Sequence, residues 1–227
     1  MIVLSLDTAL KACSLAILRD GETVFDEFNL LEKGHAEVLP PLAARAFDSA
    51  GVRPDAVDRV AVTIGPGGFT GVRVGLAFAR GFVLGNSARV VGVDTLTALR
   101  LRVKTSVDAA SMTAVVIDAR RGEVFAALFD AEGGVCLAPF AATPDAAATR
   151  LVDAAHGRTV ALVDPDALLT APDDWRRVEA RPGVDPIALG RYAETVDPSD
   201  HPPTPLYLRA PDAKRAESAS RLFGGGS

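Results

Sequence analysis

Ile2-Val3-Leu4-Ser5-Leu6-Asp7, matched mid-chain by Ala114-Val115-Val116-Ile117-Asp118, is the stretch that decides the fold. Each is an apolar run of strand length ending in an aspartate. Behind the first come a short turn, a second strand over residues 13–18 and a turn at Asp20-Gly21. Behind the second come a turn through Arg120-Arg121-Gly122, a strand over 124–129 and a turn over 130–133. Each hairpin continues into further β-prone sequence, at 23–28 and 135–140. The same order occurring twice, with an aspartate at the same place, indicates an internal duplication.

The segments between the hairpins read as helices and strands. Residues 35–50 place Val38, Leu39, Leu42, Ala46 and Phe47 on one side of a helix stopped by Gly51. Pro40 and Pro41 suit only a first turn, so the regular helix is expected to begin there. A buried strand over 60–64 leads through a glycine run into a helix over about 70–85. A short strand at 90–93 precedes a helix from 95 to about 103, with Asp94 as N-cap. The second half carries helices at 144–155 and 186–195, a strand at 159–163 and a Pro-rich stretch at 198–205. The expected fold is α/β: two duplicated subdomains with mixed sheets around a cleft, which Asp7 faces. The boundaries are 1–105 and 106–210, with the seam near 104–111 and the late helix free to pack back on the first half. Residues 211–227 are expected to be a flexible tail.

With 227 residues, 48% hydrophobic and 23% charged, the chain has length enough for a real core. A net charge of −5 argues against a lone nucleic-acid binder, so work on RNA would call for a basic partner. Cys13 and Cys136 match no metal spacing and read as reduced core residues of a cytosolic protein. His35, His156 and His201 form no HExxH or HxxxH pair. No run reaches the roughly 18 apolar residues of a membrane span, and the start lacks a basic leader. A cytoplasmic protein with no membrane contact is expected.

Gly65-Pro66-Gly67-Gly68-Phe69-Thr70-Gly71, with Val72-Arg73 behind it, joins a strand to a helix. Such a turn aims backbone N–H groups at a helix N-terminus and can hold an anion. It is equally a tight turn whose glycines only supply positive φ. Gly71, Gly75 and Ala79 then form a small-residue stripe, with Gly81 and Gly85 a little later. The stripe suits close packing on the chain's own sheet or on a partner helix. Arg73, in the positively polarised first turn, calls for a carboxylate or anion. Arg120 and Arg121 beside Asp118 and Glu123 read as a charge-paired turn, or as a contact to tRNA or a partner. Lys214, Arg215 and Arg221 mark a basic tail that could order on binding.

Several of these segments together resemble the TsaB (YeaZ) family of bacterial tRNA threonylcarbamoyladenosine synthesis, within the actin-like, Hsp70-like, sugar-kinase superfamily. They are Leu6-Asp7-Thr8-Ala9 with Cys13-Ser14, residues 35–40, the glycine run continued through Arg73-Val74-Gly75, Gly92-Val93 with Thr95-Leu96, Ile117-Asp118-Ala119-Arg120-Arg121-Gly122-Glu123-Val124, and Pro205-Leu206-Tyr207-Leu208-Arg209. The resemblance implies an actin-like (ribonuclease H-like) fold and a non-catalytic scaffold subunit. Such a subunit pairs with a TsaD-like catalytic paralogue and a TsaE-like P-loop ATPase. Together they transfer a threonylcarbamoyl group to N6 of the adenosine 3′ of the anticodon, adenosine 37.

No catalytic residue, cofactor or metal is expected in this chain. Where a metal-binding relative has HxxxH, His35 is followed four residues on by Leu39, and Glu37 with His35 is too few ligands. Asp7, Thr8, Gly65, Gly67, Gly68, Thr70 and Asp118 would be remnants of a nucleotide site. The turn after Asp7 lacks the usual glycine, and residues 160–163 run into Asp164-Pro165-Asp166, which offers carboxylates where a phosphate would need donors. The implied partner interface is a helix bundle using Val38, Leu39, Leu42, Ala46, Val72, Gly75, Leu76, Ala79 and Phe82. The same surface could form a homodimer when the partner is absent, and tRNA would be reached through the complex. Two other readings stand beside this one: a stand-alone ATPase or kinase using Asp7 and the glycine run, and a metallopeptidase-like protein.

Overall fold

The computed structural model describes residues 1–103 and 112–209. The expected seam at 104–111, the tail at 211–227 and its Lys214, Arg215 and Arg221 lie outside the described residues. The first sheet holds β1 (Ile2–Asp7), β2 (Ala12–Arg19), β3 (Glu22–Leu30), β4 (Arg59–Thr63) and β5 (Arg89–Val93), in the order β3-β2-β1-β4-β5. The second holds β6 (Met112–Arg120), β7 (Glu123–Phe129), β8 (Val135–Ala142), β9 (Val160–Val163) and β10 (Arg176–Val178), in the order β10-β9-β6-β7-β8. Reading the second order backwards reproduces the first, strand for strand. In both, an antiparallel meander of three strands is extended by two parallel ones. The parallel additions need crossovers, which helices supply. β10 has no apolar pattern in the sequence, because Arg176 and Arg177 are exposed on a three-residue edge strand.

The helices are α1 (His35–Ala50), α2 (Phe69–Val83), α3 (Thr95–Arg100), α4 (Pro144–Ala155) and α5 (Pro186–Thr195). Period-two alternation sorts the strand residues between layers. Leu4, Leu6, Leu15, Ile17, Val60 and Val62 face α1 and α2. Met112, Ala114, Val116, Leu128 and Leu162 face α4. The opposite faces of both sheets meet in one shared central core, with Val3, Leu18 and Val91 from the first, Val115, Ile117 and Phe129 from the second, and Leu96, Leu99 and Leu189 from α3 and α5. Each fully buried aliphatic side chain there contributes about 1.5–3 kcal/mol. The hydrogen bonds between the halves add only about 1 kcal/mol each. Apolar burial therefore dominates the joining of the two sheets.

The two central helices are exchanged between the halves: α3 packs on β6 of the second sheet, and α5 on β1, β2 and β4 of the first. Ser5 Oγ donates to the Pro186 carbonyl at 2.6 Å and Ser14 Oγ to that of Val184 at 3.0 Å. Arg59 of β4 donates to the carbonyls of Ala193 and Val196 at the C-terminal end of α5, where a cation is favoured. α1 begins at His35, a full turn before the expected start, with Pro40 and Pro41 inside it. Both prolines are exposed, as are Ala36 and Glu37, whose carbonyls lose their intrahelical donors, so water can serve them.

Candidate functional site

β1 and β4 run parallel, so the turn after Asp7 and the glycine run after β4 emerge at the same edge of the first sheet. The glycine run is fitted against that turn backbone to backbone. Gly68 N–H donates to the Ala9 carbonyl at 2.8 Å. A side chain at Gly67 would strike the Ala9 carbonyl, and one at Gly71 the Thr8 carbonyl. Gly65 has φ 97° and lies against the Leu206 carbonyl. The glycines are thus required by close approach within the chain, and the amide of Gly68 is already bonded.

Asp7 does not face the cleft, contrary to expectation. It is 0% exposed. Its Oδ1 accepts from Thr63 Oγ1 at 2.6 Å and from Ala9 N–H at 2.9 Å, and its Oδ2 accepts from Val184 N–H at 3.3 Å. Burial raises its pKa above the ordinary carboxylate value, opposed by these donors. The physical reason for the correction is strand alternation. Val3, Ser5 and Asp7 point into the central layer, which residues 183–184 of the other half close over.

A cleft of about 750 Å³ lies between the halves. Of the expected nucleotide-site remnants, Thr8, Gly67, Gly68, Thr70 and Asp118 line it, whereas Asp7 and Gly65 lie behind its wall. Thr8 Oγ1 donates to the Gly71 carbonyl at 2.7 Å. Asp118 Oδ1 accepts from Arg120 N–H at 2.6 Å, and Arg120 pairs with its other oxygen at 3.5 Å. Lys11 bridges the cleft to Asp166 at 2.8 Å. Asp164, buried, accepts from the amides of Leu168 and Leu169 at 3.0 Å each and pairs with Arg177 at 3.3 Å. His35 Nε2 donates to the Leu10 carbonyl at 3.2 Å, and Leu39 is 0% exposed in the core. Among the described residues no three His, Cys, Asp or Glu side chains converge as metal ligands. No helix among them is long and apolar enough to cross a membrane.

The cleft has a rim that the sequence did not reveal. Residues 202–209 run as a strap from the first sheet to the second. Leu206 N–H donates to the Ile64 carbonyl at 2.8 Å, and Arg209 pairs with Glu123 and donates to the Ala119 carbonyl at 3.2 Å. Among the described residues Arg73 pairs with no carboxylate and packs on aromatic side chains instead. Its guanidinium lies 3.6 Å from the Phe69 ring centroid and its Nε donates to Tyr207 Oη at 3.1 Å. The only signals were the aromatic at each end of this contact and the proline run before Leu206. Neither says what they touch.

The expected interface residues divide sharply. Leu39, Leu42, Ala46, Val72, Gly75, Leu76 and Ala79 are buried between the two helices and the first sheet. A Cβ on Gly75 would lie 2.7 Å from Thr8 Oγ1, so the small-residue stripe packs on this chain's own sheet. Val38 and Phe82 are half-buried, and so are Val74 and Phe78, which the sequence reading missed. Phe82 stacks on Phe47 at 5.6 Å and on Phe78 at 6.2 Å, making an aromatic ladder along this outer layer.

A family profile described as TsaD, tRNA N6-adenosine threonylcarbamoyltransferase, matches residues 29–156. The chain is similar to the tRNA threonylcarbamoyladenosine biosynthesis protein TsaB of Escherichia coli (strain K12), 35% identical over 125 residues, 55% of this chain and 53% of that protein. It is similar to an uncharacterized protein of Mycobacterium tuberculosis (strain H37Rv), 33% identical over 215 residues, 93% of each. The solved structure of YeaZ from Pseudomonas aeruginosa has a TM-score of 0.71 and 25% identity, with 91% of this chain and 99% of that one covered. The chain spans about half the length of the first curated relatives it matches, 53% and 51%.

Proposed function

The chain belongs to the TsaD family, tRNA N6-adenosine threonylcarbamoyltransferase, and resembles its TsaB/YeaZ members; from this we propose that it is an accessory subunit in the synthesis of threonylcarbamoyladenosine at adenosine 37 of tRNA. In this reading it carries no active site. It pairs with a TsaD-like catalytic paralogue, works with a TsaE-like ATPase, and reaches tRNA through that complex in the cytoplasm.

The observation that carries the accessory role is Asp7. An ATPase of this superfamily would use the acid ending its first strand around phosphate and metal. Here that acid is enclosed, and its two oxygens are taken by Thr63, Ala9 and Val184. The acids of the turn after β9 in the second half are also occupied. Asp164 holds its own loop and Asp166 holds Lys11. Partner contact then falls on what α1 and α2 leave outside the core: Val38, Val74, Phe78 and Phe82.

The test is reconstitution. Mixed at micromolar concentration, this chain and the TsaD-like paralogue should co-elute. Adding the TsaE-like ATPase should give tRNA modification that needs all three. No co-elution would sink the reading. Titration calorimetry with ATP and magnesium addresses the ATPase alternative: micromolar binding with hydrolysis abolished by Asp7→Asn would replace the accessory role with it.

A further inference from the structure

We propose that Phe69, Arg73 and Tyr207 form a preformed stacking platform for an unpaired RNA base at the mouth of the cleft. This rests on the tRNA reading above and names the surface that would touch the nucleic acid. Phe69 opens α2 and Tyr207 sits on the strap, both at the cleft and each 39% exposed. Their ring centroids lie 5.3 Å apart, tilted by 39°. Arg73, one turn beyond Phe69, covers that ring at 3.6 Å and holds Tyr207 Oη at 3.1 Å. Both rings are therefore fixed before any ligand arrives, and little rotamer freedom remains to be lost on binding. Half-exposed aromatics interleaved with arginine are the side chains on which single-stranded bases stack.

The surroundings favour one base over a duplex. Lys33 and Arg120 stand on the same cleft among the carboxylates of Glu32, Glu37 and Asp118, Arg120 paired with Asp118 at 3.5 Å yet with its side chain 70% exposed, and Thr70 adds a hydroxyl. These suit one or two phosphates. A net charge of −5 leaves no broad basic face for tracking a double helix. A protein partner has an apolar ladder of its own at Phe78 and Phe82, so this polar, arginine-bearing cluster suits RNA better.

Fluorescence anisotropy tests this with a labelled single-stranded, adenosine-containing oligoribonucleotide and the same sequence as duplex. The full chain is measured alone and with the TsaD-like paralogue. The single strand should bind in preference to the duplex. Its affinity should fall with salt at a log–log slope of only about −1, given about −0.7 per phosphate. Phe69→Leu and Tyr207→Leu keep apolar volume but lose the π face, and each should weaken binding about tenfold or more. Their thermal unfolding and pairing with the paralogue should stay as in the wild type. No measurable single-strand binding, or wild-type affinity in both variants, would overturn the platform. So would variants that keep RNA affinity but lose pairing, since the cluster would then be a protein contact. Failure of the wild-type chain to pair at all strikes instead at the proposed function.

Discussion

Asp7 was visible in the sequence as a strand-ending acid, but its partners were not. Val184 lies 177 positions away and closes over it only in the assembled molecule. Asp7→Asn places an amide N–H₂ among groups that are all donors, and should cost about 1–3 kcal/mol near neutral pH. Its pH dependence has a definite sign. Burial raises the folded pKa above the unfolded value of about 3.9, so the folded state holds the proton more tightly. Stability from this group is full below about pH 4 and is lost as pH rises through the folded value. Urea unfolding across that range should show the wild type's advantage over Asp7→Asn greatest at the acid end. A pH-independent difference would contradict the assignment. Cys13 offers a second check. It is 0% exposed and burial pushes its thiol to about 12, whereas Cys136, expected in the core, is exposed because it lies near the start of the edge strand β8. At about pH 8, iodoacetamide should label Cys136 in the native protein and reach Cys13 only after denaturation.

α2 shows how one helix can use the same residue type in opposite ways. Its glycines were legible as a stripe, but the stripe alone could not say whether it meets a sheet or a partner. Gly71 lies against the Thr8 carbonyl, while Gly81 has no atom within 4 Å of where a Cβ would stand. Gly71→Ala must push the helix off the turn after β1 and should destabilise by about 1–3 kcal/mol or more. Gly81→Ala clashes with nothing and should stabilise by up to about 1 kcal/mol through helix propensity. Thermal unfolding of the two variants should therefore move in opposite directions. Equal shifts would mean that the contact with Thr8 is not what holds Gly71. Helix existence and most strands were readable from periodicity, since their patterns are local. The start of α1 was not, because two exposed prolines inside a helix are tolerated only where water can serve the carbonyls they leave without donors.

At the scale of the molecule, the outer layer built by α1 and α2 is where a partner is proposed to dock. Phe78 is half-buried, packed on the edge of the core and stacked on Phe82, so Phe78→Asp should cost about 1–3 kcal/mol in unfolding yet leave the chain folded. It should weaken pairing with the TsaD-like paralogue tenfold or more, as buried aromatic anchors at interfaces do. Sedimentation or gel filtration at several concentrations would measure this, and unchanged pairing would move the interface off this face. By itself, the sequence determined the duplicated hairpins, the mixed sheets, most of the helices and the family, because these rest on local periodicity, turn chemistry and motif residues close together in the chain. The sequence left α5 free to pack back on the first half, but tertiary structure alone decided the packing of α3 on the second sheet, the enclosure of Asp7, the burial of the small-residue stripe and the strap that brings Tyr207 to Phe69. Each of these depends on which face of an element meets a surface distant in the sequence, from about twenty positions for α3 on β6 to 177 for Asp7 and Val184. Alternation says that a face is apolar, but only packing says what covers it.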